Sequence, residues 1–224
     1  MIREFSAHEF WFLVAATRWT LLLSLVAFVG GGVGGLIVSI LRVRRRGLLA
    51  PIAAAYIKIF QGTPLLMQLY LVYFGASLFQ VRSDAWSAAA LALTLYASAF
   101  LGEIWRGSIQ AIPRDQWEAS QALALGYFAQ LRLVIMPRAA RIALPPTVGF
   151  LVQLLKGTSL ASIIGFTELT RAAQVVNNAT FRPFIVYASV AGLYFLLCWP
   201  LSMLSERLER RLEHAPVATV AARI

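Results

Sequence analysis

Five stretches of this chain are too long and too apolar to sit in water as ordinary core elements. Residues 19–41 and 184–204 carry no charged side chain, and the runs 65–79, 86–105 and 146–165 carry at most one each. Crossing a hydrocarbon core about 30 Å thick takes roughly 20 apolar residues in a helix. Most of the runs reach that length; the run 65–79 does so when residues 52–63 contribute, which brings Lys58 with them. In lipid every backbone N–H and C=O must be satisfied inside the protein, so only helices or closed barrels can span. Continuous apolar runs without period-2 alternation are not barrel strands. The expectation is an all-α, polytopic integral membrane protein with about five transmembrane helices.

Charge supports that class and orients it. Only 13% of residues are charged and 59% are hydrophobic, whereas a soluble domain carries about 25% charged residues. The net charge of +10 would suit a nucleic-acid binder, but the arginines flank apolar runs, and no basic groove interleaved with aromatics is present. Arg42, Arg44, Arg45 and Arg46 follow the first run. Arg106, Arg114, Arg132, Arg138 and Arg141 lie after the third, and Arg207, Arg210, Arg211 and Arg223 lie in the tail. The opposite segments hold Arg3, Arg18, Arg82, Arg171 and Arg182. The positive-inside bias assigns the first set to the cytoplasm, which predicts an outside N-terminus and a cytoplasmic C-terminus.

Several chemistries are excluded. Cys198 is alone, and His8 and His214 fall on opposite sides of the expected membrane, so neither a cysteine-based metal site nor a histidine pair is available. No G-x-x-x-x-G-K-[ST] run exists; Lys156, Gly157, Thr158 and Ser159 have the Lys before the Gly, so the chain has no P-loop. Gly30/Gly34 and Gly31/Gly35 form small-xxx-small pairs within the first run, a pattern that lets helices pack closely in lipid. The polar N-terminal start, with His8 and Glu9, leads into a long run rather than a cleavable signal. No linker or internal repeat divides the chain.

The loop after the third run is polar and arginine-bearing, yet residues 118–137 have the composition of a docking surface. Small residues allow close approach, and Glu118 stands at the entry. Asp115 is the expected N-cap, with Glu118 three residues on completing a capping box, and Pro137 is expected to end helical structure at Met136. These residues resemble the EAA loop of the permease subunits of bacterial ABC importers. Glu118, Ala119 and Ser120 fill its first three places, and Val134, Met136 and Pro137 close it. Ala124 stands where Gly is usual, and a Gly follows two residues later at Gly126.

Two further segments narrow the resemblance. The run Phe60, Gln61, Gly62, Thr63, Pro64, Leu65, Leu66 is similar to the F-R-G-T-P-L-L stretch of polar amino-acid permeases, the histidine/glutamine/glutamate/arginine branch, with Gln61 for the frequent Arg. Leu155, Lys156, Gly157, Thr158, Ser159 and Leu160, followed by Ile163, Ile164, Gly165, Glu168 and Leu169, resemble its L-L-K-D-T-S-L region, with Gly157 where an acidic or polar residue is common. Glu103 to Gly107 and Ile112-Pro113 fit its E-I-x-R-G…I-P. The resemblance covers roughly residues 17–211. It implies a periplasmic N-terminal segment (1–18), an importer transmembrane domain (19–211) whose coupling loop spans about 106–145, and a cytoplasmic tail (212–224). It also implies a multi-pass protein of the bacterial inner membrane. Its expected partners are the lipid bilayer, ABC ATPase subunits, a second permease (the same chain or a related one) and a periplasmic amino-acid-binding protein. The chain would be no enzyme and hold no cofactor: ATP and Mg belong to the ATPase.

Within that reading Glu118, Ala119, Ser120, Ala124, Gly126 and Pro137 form the surface coupled to the ATPase. Lys156 is expected at membrane depth, which costs about 2.5–3.5 kcal/mol on insertion scales unless a cavity or counter-charge receives it. Glu103 is its candidate partner. Lys156, Thr158, Ser159, Gln61, Thr63 and Glu103 are the expected translocation-path residues, contacting a polar amino acid or a close derivative. An ion-coupled secondary carrier is the alternative; against it stand the small size and the lack of an inverted repeat.

Overall fold

A computed structural model describes residues 4–43, 49–78, 80 and 84–213. The expectations placed on Arg3, Arg44, Arg45, Arg46, Arg82, His214 and Arg223 lie outside those residues, as does the tail from residue 214. The described residues are predominantly helical and contain no strand. In order, they form α1 (Ala7–Val43), α2 (Leu49–Gly62), α3 (Leu65–Leu78), α4 (Ala85–Gln110), α5 (Arg114–Ala122), α6 (Tyr127–Gln130), a π-turn (Leu131–Ile135), α7 (Met136–Gly157), a 3-10 turn (Thr158–Ser162), α8 (Leu169–Thr180) and α9 (Pro183–Glu213).

By length and apolar character, α1, α4 and α9 can cross a membrane, and α2 with α3 make a fourth if the pair is one span bent by 107°. Among the described residues that makes three or four candidate spans where five were expected. Two local causes account for the difference. Pro64 cannot continue α2, so the expected second span folds as two helices meeting at an angle. The expected run 146–165 is not one helix either: α7 starts before it, carries Arg138 and Arg141, and ends at Gly157. The division expected at residues 18 and 19 falls inside α1, which is continuous from Ala7.

Helices α1 and α4 form the spine, and the glycines of the first run make it possible. A Cβ on Gly31 would lie 2.3 Å from Ala97 Cβ and 3.1 Å from the Ala97 backbone carbon. One on Gly35 would lie 2.9 Å from Leu101 Cβ and 3.0 Å from the Gly102 nitrogen. The two backbones touch where any larger residue would separate them. Around this seam Leu23, Ala27, Leu69, Leu93, Phe150 and Leu154 bring α3 and α7 onto α1 and α4. A second buried cluster, Leu13, Ala16, Leu169, Ala173, Val186 and Val190, joins the start of α1 to α8 and α9.

Candidate functional site

The loop between α4 and α7 folds into a helix and a hook. Helix α5 begins after Pro113, whose φ of −56° and ψ of 146° set the entry, and no side chain caps it. Asp115 is therefore a first-turn residue rather than the expected N-cap. Its backbone is already helical, so its carboxylate favours the positive end of the helix but cannot reach back to close a box with Glu118. The end of α5 is a Schellman closure. Leu125 N–H donates to Ser120 O at 3.3 Å, Ala124 N–H donates to Gln121 O at 2.8 Å, and Ala124 takes the left-handed φ of 54°. Gly126 has φ −65° and open space beside it. The position that calls for glycine is thus Ala124, which decides the register of the motif.

Pro137 does not end helical structure at Met136, whose φ and ψ of −61° and −41° are helical. Pro137 sits in the first turn of α7. It has no N–H for the preceding turn, and its ring would press on the carbonyl four residues back. The wider π-turn at Leu131–Ile135, just before it, accommodates both demands.

The inner face of this hook is fixed. Ile112, Ile135 and Ala139 are buried together, with Ile109, Trp117, Leu131 and Val134 packed on them, so α5 is fastened to the C-terminal end of α4 and the N-terminal end of α7. Gln130, which the sequence reading did not single out, is buried and donates to Leu125 O at 2.7 Å, bracing the turn. Ser120 is buried, its hydroxyl donating to Trp117 O at 2.8 Å. Glu118, Ala119, Ala124, Gly126 and Pro137 are exposed. Beside them Leu123, Tyr127 and Phe128 are 75%, 65% and 73% exposed. An apolar patch of that kind on a polar, arginine-bearing loop has the character of an interaction surface.

The second group of residues lies where α2 breaks. Thr63 Oγ1 donates to Ile59 O at 2.8 Å. Gln68 of α3 is buried, and its Nε2 donates to Phe60 O at 2.8 Å, Thr63 O at 3.1 Å and Thr63 Oγ1 at 2.9 Å. One amide thus reaches the Phe60 and Thr63 carbonyls at the break. Gln68 was missed by sequence reading, though a Gln four residues after Pro64 in an apolar helix was its visible signal. Gln61 and Glu103 line one cavity of about 340 Å³ with Phe100, Ser108, Ile142 and Pro146.

Glu103 is not the partner of Lys156. Its carboxylate is held by Arg106 on the next turn of α4, whose Nε donates to it at 2.8 Å and whose terminal nitrogen pairs with it as well. Lys156 is exposed at the end of α7, and among the described residues no carboxylate pairs with it. Thr158 is fully buried and donates to Leu155 O at 2.7 Å; Ser159 donates to Lys156 O at 2.7 Å. The two separated motifs do meet. A Cβ on Gly157 would lie 3.1 Å from Leu65 Cδ2, just past the α2–α3 break. One turn before Lys156, Gln153 donates to Tyr96 OH at 3.0 Å, a polar pair the sequence reading also left out.

Residues 31–214 match the family model of the binding-protein-dependent transport system inner membrane component. The chain belongs to this family. Among relatives of this inner membrane component, the probable amino-acid ABC transporter permease protein YckA of Bacillus subtilis is 32% identical over 94% of this chain and 93% of its own length. The L-cystine transport system permease protein TcyB of the same organism is 32% identical over 92% and 89%. A crystal structure of an amino acid ABC transporter with histidines superposes with a TM-score of 0.85 at 33% identity, covering 89% of this chain and 94% of that one.

Proposed function

We propose that this chain is the transmembrane subunit of an ATP-driven importer of a polar amino acid or close derivative. It works in the bacterial inner membrane, with its N-terminus outside and its C-terminus in the cytoplasm. A periplasmic binding protein delivers the substrate, and a second permease, the same chain or a related one, completes the path. ATP and Mg are handled by separate ABC ATPase subunits, consistent with the missing P-loop.

The observation that carries this reading is the hook. Its outer face offers Glu118, Ala119, Leu123, Tyr127 and Phe128 to a partner, while its inner face is bolted to α4 and α7 through Ile112, Ile135 and Ala139. When the ATPases close on ATP and push α5, the push passes to those two helices. Helix α4 carries Glu103 and α7 ends at Lys156 and Gly157. Small displacements at the loop are thereby converted into rearrangement around the α2–α3 break, which opens the path alternately to the two sides. In the path Gln61, Thr63 and Ser159 supply neutral hydrogen-bonding groups, Lys156 supplies a cation for a carboxylate, and Thr158 holds the turn in shape. Glu103, neutralised by Arg106, is a polar wall group of the cavity.

The test is co-purification from gently solubilised membranes followed by uptake in proteoliposomes. A P-loop subunit should co-purify with the wild type and be lost, or be uncoupled from transport, in Glu118→Lys. Reversing a charge at such a contact lowers ATP-dependent uptake by about tenfold or more. Normal uptake by Glu118→Lys refutes the coupling role, and ion-driven uptake by the chain alone, without ATP, refutes the importer reading.

A further inference from the structure

Glu168 is fully buried, yet none of the path assignments uses it. It stands in the link between the 3-10 turn and α8. One carboxylate oxygen accepts the Arg171 N–H at 2.9 Å, capping α8. The other accepts the Tyr194 hydroxyl of α9 at 2.9 Å and faces the Thr20 hydroxyl of α1 at 3.5 Å. Thr20 in turn accepts the Leu169 N–H at 3.2 Å. Among the described residues no cation pairs with the carboxylate: Arg171 turns its guanidinium to Gln174 at 2.9 Å, and Arg18 lies over the Trp19 ring. A helix cap alone does not require this burial, since an exposed Ser or Asp caps as well.

The Tyr194 hydroxyl is shared further. It lies 3.1 Å from Thr170 Oγ1 of α8. Thr158 opens the turn that follows Lys156 and Gly157, against which Leu65 packs. The link from that turn to Glu168 is short and held by its own backbone, with Phe166 N–H donating to Ala161 O and Glu168 N–H to Phe166 O, both at 3.1 Å, so the carboxylate that grips α9 and α1 anchors the segment leaving the turn.

We infer that Glu168 is a positioning residue for transport: by clamping Tyr194 of α9 and facing Thr20 of α1, it anchors the link that leaves the Thr158 turn of the path. The inference rests on the importer reading. When the path reopens, α9 and the link that leaves the turn move together for as long as the Tyr194–Glu168 bond holds.

The experiment compares Glu168→Gln, Tyr194→Phe and the double variant in the complex with its ATPase and binding protein. Each single variant removes or weakens one hydrogen bond to a buried acid, and on the order of a tenfold loss of binding-protein-stimulated ATP hydrolysis is expected, with the basal rate within about twofold of wild type. The double variant should be no worse than either single one. Wild-type stimulation in both single variants overturns the inference. So does a double variant whose losses multiply, or a proportional fall of basal and stimulated rates together with a lowered Tm, which marks a merely structural tie. Thermal unfolding of the isolated permease in detergent measures the Glu168–Tyr194 coupling whatever partner drives the protein. An absent coupling there overturns the clamp itself, whereas a wild-type complex that never responds to the binding protein overturns the importer reading first.

Discussion

Ala124 occupies a backbone conformation suited to glycine, and replacing it should strengthen the hook. Its φ of 54° is left-handed, and it is the residue on which the two closing hydrogen bonds of α5 depend. An L-residue there costs about 1–2 kcal/mol relative to a right-handed one. Glycine removes that cost but gives the unfolded chain about 0.4–1 kcal/mol of extra freedom. The Ala124 side chain is exposed, so little packing is lost. The balance for Ala124→Gly is a local stabilisation of about 0.5–1 kcal/mol. A change confined to one turn is best read by amide hydrogen exchange. Exchange of the Ala124 and Leu125 amides, which make the closing bonds, should slow about two- to fivefold in Ala124→Gly. Gly126→Ala is the control: φ is −65°, nothing lies within 4 Å of the added Cβ, and exchange should not slow in the same way. Faster exchange in Ala124→Gly, or the same protection from Gly126→Ala, would refute both the strain argument and the register it fixes.

Gly31→Ala should lower the thermal midpoint in detergent by an amount corresponding to about 1–3 kcal/mol, because its Cβ meets Ala97 at 2.3 Å. Gly32→Ala, whose nearest neighbour is Trp105 at 3.7 Å, should not, and equal effects would refute the seam. Gln68→Leu strips the donors from the Phe60 and Thr63 carbonyls and should cost about 1–3 kcal/mol, read as a lowered midpoint and weakened uptake; unchanged values would mean another group satisfies those carbonyls. Glu168 lies outside the candidate spans, and burial pushes its carboxyl above the ordinary range despite the donors that pull it down. The unfolded chain then ionises at lower pH than the folded one. Its contribution is fully present below the ordinary glutamate range and is lost as pH rises through the elevated value. The thermal midpoint should therefore fall across that window, and Glu168→Gln should flatten this part of the profile.

The all-helical class was readable because lipid leaves the backbone few choices, and apolar runs reveal that constraint directly. The glycine-lined seam was readable for a similar reason: small residues four apart announce a close approach, although they do not name Ala97 or Leu101 as the residues approached. Span count was harder. Hydropathy averages over a window, so it could not show that Pro64 turns one apolar run into two helices at 107°, with Gln68 reaching back to cap the first. It also could not show that α7 would begin ten residues before its apolar run and end at Gly157.

Glu103 pairs locally rather than across helices. A lysine expected at membrane depth calls for a counter-charge, and Glu103 is the acid of the preceding apolar run. Yet the spacing of Glu103 and Arg106 places them on one face of α4, where three-residue neighbours meet without any tertiary assumption. A local pair costs little chain entropy to form, whereas a pair across two helices requires both to be held at one height and rotation. The carboxylate therefore went to the arginine beside it. Lys156 is left exposed at the end of α7, beside Gly157 and the α2–α3 break. On the importer reading proposed above, this cation, which has no described carboxylate partner, is the group that would receive the carboxylate of an arriving amino acid.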